Sequence, residues 1–239
     1  MDIAFSIILV SRSRPEMLDG LIKSMRKTCV LRNEIIVGLD LDDDETISSL
    51  AMKQISSLND ETGDIMFTIQ KRDANLHTYI NNICKLSRGE YIFVLNDDCV
   101  LLNEGWDEQA KKVLDDFDDS ICYGRTYDDS VDRISNDYSA FPIMSKASVE
   151  TLGFCMDETF GNHGSDVITY RIFNEARKVV DLPMVKISHL YHNTQTALLL
   201  RQEDDTAVEM IQRTFSSGFD ANSLFTIDVS DKVERLKNA

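Results

Sequence analysis

The residues of this chain best suited to chemistry are carboxylates and histidines placed where apolar runs stop. Tyr91-Ile92-Phe93-Val94-Leu95 leads straight into Asn96-Asp97-Asp98, and Glu34-Ile35-Ile36-Val37-Gly38-Leu39 into Asp40-Leu41-Asp42-Asp43-Asp44. Later come Asp166, just after Gly164-Ser165, and then His189 and His192 at the end of an extended stretch that begins at Pro183. Oxygen-rich ligation of this kind suits a hard divalent cation, Mg2+ or Mn2+, which keeps positions open for substrate phosphates. An added imidazole tilts that choice towards Mn2+. Each feature also has a plain structural reading. Asn and Asp stabilise strand-end turns by local hydrogen bonds, Ser165 or Asp166 would cap a helix, and histidines at a strand end are ordinary polar residues. What separates the two readings is whether the elements bring these residues together.

The apolar pattern predicts those elements. A first strand over about Ala4 to Ser11 ends in Ser11-Arg12-Ser13-Arg14, and Pro15 suits the first turn of a helix. Met17, Leu18, Leu21, Ile22 and Met25 recur at helical spacing behind it. A second strand from Glu34 to Leu39 precedes a helix carrying Ile47, Leu50, Ala51 and Ile55. A third, Ile65 to Ile69, precedes a helix over about Asn75 to Leu86, with Gly89 expected to stop it. The run from Glu90 is the fourth strand. Strands alternating with helices in this way specify right-handed crossovers and an α/β fold with a mostly parallel, doubly wound central sheet. In such sheets the carboxyl ends of the strands meet at one edge, where ligands bind. Further on, the spacing predicts a helix over Trp106 to Phe117, a strand over Ser120 to Gly124 and a loop over Asp128 to Asp137. A short extended piece over Phe141 to Met144, a helix over Ala147 to Leu152, a helix bearing Val167, Ile168, Ile172 and Phe173, and a last strand over Pro183 to Leu190 follow. One more helix is expected around Asp205 to Phe215.

Composition narrows the function. The 239 residues are enough for one large domain, and three prolines and ten glycines leave no linker-like stretch. Lys and Arg total 25 against 41 acidic residues, a net charge of −16, the wrong sign for a groove that tracks nucleic acid. The acidic runs at 115–119, at Asp128-Asp129 and at 203–205 are expected to be solvated faces. Five cysteines without a paired spacing suit reduced, buried thiols and a cytoplasmic setting. The N-terminus lacks the features of an export signal, and no apolar run approaches the roughly 20 residues that cross a bilayer, leaving only peripheral membrane contact. Read as a calcium loop, 40-DLDDDETISSLA-51 has Glu45 where Gly is required and Ala51 where a bidentate Glu is required. The chain also carries neither of the glycine-rich phosphate-binding fingerprints and no nucleophile elbow.

Four pieces of sequence, Ser6-Ile-Ile-Leu-Val-Ser-Arg-Ser-Arg-Pro15, Glu34-Ile-Ile-Val-Gly-Leu-Asp-Leu-Asp-Asp-Asp-Glu-Thr46, Arg88-Gly-Glu-Tyr-Ile-Phe-Val-Leu-Asn-Asp-Asp-Cys99 and Gly164-Ser-Asp-Val167, together resemble family 2 glycosyltransferases of the A-type fold. The resemblance runs in order from Ser6 to Asn193. It implies one Rossmann-like domain over about residues 1–195, with a nucleotide-binding part over about 1–100, an acceptor part over about 101–195, and 196–239 as a helical extension. By this resemblance Ser11, Arg12, Arg14, Asp40 and Asp42 hold the nucleotide of a nucleotide-sugar donor, expected to be a UDP sugar. Asn96 and Asp97 border that nucleotide in the family's Asp-x-Asp motif, Asp98 ligates the metal, and His189 or its rival His192 completes the metal shell. Asp166 matches the catalytic carboxylate, which takes a proton from a hydroxyl of an unidentified glycan or other acceptor in an inverting, metal-dependent transfer. Asn96 departs from the family's first Asp, which keeps a non-catalytic nucleotide- or glycan-binding module open as an alternative. A sugar-phosphate nucleotidyltransferase is the other, although Ser11 to Arg14 contains no glycine. Trp106 either faces the sugar or acceptor or lies in the core.

Overall fold

The computed structural model describes residues 2–51, 64–71, 75–128, 138–159, 164–190 and 226–239. The first half repeats strand and helix: β1 (Phe5–Ser11), α1 (Pro15–Thr28), β2 (Glu34–Asp40), α2 (Asp44–Ala51), β3 (Asp64–Gln70), α3 (Leu76–Cys84) and β4 (Tyr91–Asn96). The second half is more varied: β5 (Cys99–Leu101), α4 (Trp106–Leu114), β6 (Tyr123–Asp128), β7 (Ile143–Ser145), α5 (Lys146–Leu152), α6 (Ser165–Glu175), β8 (Val179–His189) and α7 (Ser230–Lys237). All eight strands join one sheet in the order β3-β2-β1-β4-β7-β6-β8-β5.

The expectation of a mostly parallel sheet holds for only half of it. β3, β2, β1 and β4 are parallel, but β7 pairs antiparallel with both β4 and β6, and β5 pairs antiparallel with β8. The sheet is therefore mixed. The reason is tertiary: β7 enters between β4 and β6 running against both, and the chain turns at Asp97-Asp98 straight from β4 into β5, which pairs with β8 and not with β4. β7 reverses direction twice along the sheet, so β6 again points the same way as β4, and β8 lies parallel to β6. Consequently the carboxyl ends of β1, β2, β4, β6 and β8 all reach the same edge.

Strand alternation builds two cores. Phe5, Ile7 and Leu9 of β1, Ile35, Val37 and Leu39 of β2 and Tyr91, Phe93 and Leu95 of β4 face one side, packed with Leu18, Leu21, Ile22 and Met25 of α1 and with α4. Ile8, Ile36, Ile92 and Val94 face the other, under α3, α5, α6 and α7. Helices thus cover both faces, as a doubly wound fold requires. Trp106 is fully buried between Phe5 and Phe93, with both ring centroids 5.3 Å away, so it belongs to the core and not to a sugar site.

Local expectations shift in three places. α3 ends at Cys84, and Gly89 serves a different purpose from stopping it: a Cβ there would stand 2.5 Å from the Ser6 nitrogen, so only glycine lets this loop lie against β1. β6 begins at Tyr123, later than expected, because Ser120 takes a left-handed turn with φ of 57° and the Cys122 amide donates to the Ser145 and Ser148 hydroxyls. Asp128, expected in a solvated run, is buried at the end of β6, while Asp115, Asp116, Asp118 and Asp119 are exposed. Ile55, the Asp129 to Asp137 part of the expected loop, Asp129 itself, residues 203–205 and the helix expected around Asp205 lie outside the described residues. The five cysteines are free thiols, four of them buried.

Candidate active site

The shared sheet edge brings together residues far apart in sequence. Ser11 ends β1, Asp40 ends β2, Asn96 ends β4, Asp128 ends β6 and His189 ends β8. His192 lies outside the described residues.

The loop after β1 is set by an unusual backbone. Ser13 has a φ of 51°, a left-handed conformation that costs a non-glycine residue about 1 kcal/mol or more. The buried carboxylate of Asp43 accepts from the Ser13 amide at 3.1 Å and from the Thr46 amide at 3.0 Å, so the same side chain caps α2 and holds this loop. Asp43 belongs to the acidic strand end marked by the sequence, but its contacts are structural ones, to the loop after β1 and the start of α2. Its signal was the Asp43 to Thr46 spacing ahead of an apolar helical face, a helix-start pattern. On either side of Ser13 the two arginines diverge. Arg12 reaches Asp40 at 3.1 Å and Asp42 at 2.7 Å, beside the end of β2. Arg14 turns the other way, to Asp97 at 2.7 Å and Asp98 at 3.5 Å, beside the end of β4. The loop thus spans two parts of the edge, the end of β2 and the end of β4.

The two aspartates of the β4 turn differ in kind. The Asp97 side chain is fully shielded from solvent and faces Arg14. Burial pushes its carboxyl up to about 6, against the pull of the Arg14 charge. Asp98 turns one oxygen to Arg14 and the other to Nε2 of His189, 3.2 Å away. Burial alone would raise its carboxyl too, but the His189 hydrogen bond and charge, with the Arg14 charge, hold it below the usual range. An ionised carboxylate beside an imidazole is a donor pair that fits Mn2+ or Mg2+, and only two protein donors leave room for diphosphate oxygens and water. The Cys99 sulfur completes a cluster of ligand atoms lying within 4.8 Å of one another. Thiolate sulfur is a soft donor that suits Mn2+ or Mg2+ less well than carboxylate oxygen or imidazole nitrogen.

Asp166 lies in the first turn of α6. The cap position belongs to Gly164, with φ of 80°, so neither Ser165 nor Asp166 caps this helix. The Asp166 carboxylate instead accepts from the next amide, Val167, at 2.9 Å. It is half-buried at the helix end, and burial, reinforced by the charge of Asp128, pushes its carboxyl up to about 6. A carboxylate so placed is a stronger base than a solvated one and still changes protonation near neutral pH. Asp128, which the sequence pattern marked as solvated, is therefore part of this site's electrostatics.

Known structures share this arrangement of strands. The chain superposes on S. aureus TarS with a TM-score of 0.62 at 14% identity, over 95% of this chain and 46% of TarS, so it spans less than half the length of that protein. TarS residues 1–349 in complex with UDP-GlcNAc align over 98% of this chain and 78% of theirs, with a TM-score of 0.62 at 12% identity. Mannosyltransferase PcManGT from Pyrobaculum calidifontis, in complex with GDP-Man and Mn2+, aligns over 99% and 70%, with a TM-score of 0.61 at 9% identity. Identities this low establish likeness of fold. No curated protein matches the chain in sequence. Residues 6–176, well over half of the chain and including β1 through α6, match Glycosyl transferase family 2. With that match and an A-type glycosyltransferase fold, this chain belongs to glycosyl transferase family 2.

Proposed function

We propose that this protein transfers a sugar from a nucleoside diphosphate donor, a UDP sugar by preference, to an acceptor hydroxyl, with inversion and with the help of Mn2+ or Mg2+. The observation that supports the reading is the Asp98 and His189 pair at the ends of β4 and β8, together with the half-buried Asp166, which feels the charge of Asp128 at the end of β6 on the same edge. Residues of about 1–100 supply the donor side and those of about 101–195 the acceptor side.

Each residue then has a task. Arg12, Asp40 and Asp42 at the end of β2, with Ser11, border the nucleoside. Asn96 offers an amide where family members have a carboxylate, which can still donate or accept a hydrogen bond to a ribose hydroxyl. Asp97 holds Arg14 in place. Asp98 and His189, with His192 as the rival imidazole, would hold the cation. That cation supplies Lewis-acid stabilisation of the departing diphosphate. Asp166 takes the proton of the acceptor hydroxyl as its oxygen bonds to the anomeric carbon, and the bond from that carbon to the diphosphate oxygen breaks on the opposite face.

A donor that binds the folded state raises its melting temperature. UDP-GlcNAc, other UDP sugars and GDP-Man are screened by thermal shift with and without Mn2+, followed by assay of nucleoside diphosphate release on a panel of hydroxyl acceptors. Metal-dependent stabilisation by one donor, with diphosphate release, is the expected result. Binding without hydrolysis or transfer would point to a nucleotide- or glycan-binding module, and release of pyrophosphate from a nucleoside triphosphate would point to a nucleotidyltransferase.

A further inference from the structure

The geometry points to Arg14 as a built-in cation of the metal motif, which makes binding of the divalent ion depend on the donor diphosphate. This rests on the proposed reading of Asp98 and His189 as metal ligands. Arg14 sits at the head of α1, where Pro15 fixes the backbone, and its guanidinium lies 2.7 Å from Asp97 and 3.5 Å from Asp98. Asp97 has no route to solvent, so its role is to hold the guanidinium. Asp98 is then shared between Arg14 and His189.

Charge decides the consequence. With His189 counted as the neutral imidazole that metal ligation needs, two carboxylates and one guanidinium leave this end of β4 with one net negative charge. A divalent cation alone would turn that into one net positive charge, with the ion and the guanidinium competing for Asp98. A diphosphate, carrying about two negative charges, restores the balance and offers Arg14 oxygens it can bind in place of Asp98. Metal and diphosphate therefore favour each other's binding, and by linkage each raises the other's affinity by the same factor. Arg14 thereby also neutralises charge on the leaving group.

The test measures Mn2+ binding by calorimetry or electron paramagnetic resonance, first alone and then with saturating UDP or GDP. Arg14→Met is made together with Asp97→Asn, so that no charge is left buried alone. Asp97→Asn by itself is the reference. Melting temperatures establish that each variant is folded. Relative to the reference, loss of the guanidinium is expected to tighten Mn2+ binding in the absence of nucleotide by about tenfold or more. It is also expected to reduce the gain that the nucleotide brings by a similar factor. Arg14→Lys keeps the charge and is expected to retain most of the coupling. Unchanged or weaker Mn2+ binding in the double variant, with Asp98→Ala still abolishing binding, would overturn the role of Arg14 and leave the metal site standing. Mn2+ binding that is insensitive to Asp98→Ala would overturn both.

Discussion

At the scale of single residues, the proposed chemistry rests on two carboxylates under opposing influences. Burial raises Asp166, whereas His189 and Arg14 hold Asp98 ionised against the same force. Asp98→Ala is expected to abolish metal-dependent donor binding and to lower transfer on the order of 100-fold or more, measured as nucleoside diphosphate release. For Asp166→Asn, donor binding is expected to survive while transfer falls on the order of 100-fold or more. A variant with parental transfer kinetics would remove Asp166 as the base. With the carboxyl pushed up to about 6, the parent enzyme's rate at limiting substrate is expected to fall about tenfold per pH unit below that value. The sign for stability is opposite to that for activity. The folded state takes up this proton at a higher pH than the unfolded chain, so acidification from neutrality favours folding at this site. Asp166→Asn is thus expected to melt no lower than the parent at pH 7.5, which separates lost catalysis from lost structure.

Elements set where those residues stand, and they do so through tight backbone contacts. Gly89 lets the turn before β4 touch the Ser6 backbone, and its amide donates to the Ser6 hydroxyl at 2.8 Å. Gly89→Ala is expected to destabilise the fold by about 1–3 kcal/mol in urea unfolding, since the obstructing atoms belong to main chain that cannot rotate away. Much of the element pattern was legible in the chain. Continuous apolar runs in β1, β2 and β4 and helical spacing in α1 marked the first half, because parallel strands buried on both faces and amphipathic helices leave strong local signatures. The second half was harder to read. β5 and β7 are three residues each, too short for any periodicity, and their antiparallel pairing follows from chain reversals that leave no pattern in residue type.

For the whole molecule, closure depends on the C-terminal segment. Val229, just before α7, and Val233 and Leu236 of α7 complete the core beneath α5 and α6, and the Lys232 ammonium pairs with the buried carboxylate of Asp157. Arg171 of α6 donates to the Ile227 carbonyl at 3.3 Å, tying the helix of Asp166 to the same segment. Burial works to raise Asp157, but Lys232 and Thr159 outweigh it and hold the carboxyl low. This pair therefore stabilises the fold above the ordinary carboxylate range and loses its effect as pH falls through the depressed value. Lys232→Met is expected to cost about 1–3 kcal/mol at pH 7, discounted for the partly exposed ammonium, with the difference from the parent shrinking in acid. Among the described residues no helix is long and apolar enough to cross a membrane.

The sequence by itself determined the strand-and-helix order, the acidic strand ends and the family resemblance, because these are written in local periodicity and in short motifs. Asp98 and Asp166 were legible for the same reason. Only the tertiary structure decided which partners they meet. It turned Arg14 away from Asp40 and Asp42 and towards Asp97 and Asp98, buried Asp128 near Asp166, and put Trp106 in the core. Such outcomes depend on how strands far apart in the chain are ordered and on which way a loop with one left-handed residue points its side chains. Neither is a property of any single stretch of sequence.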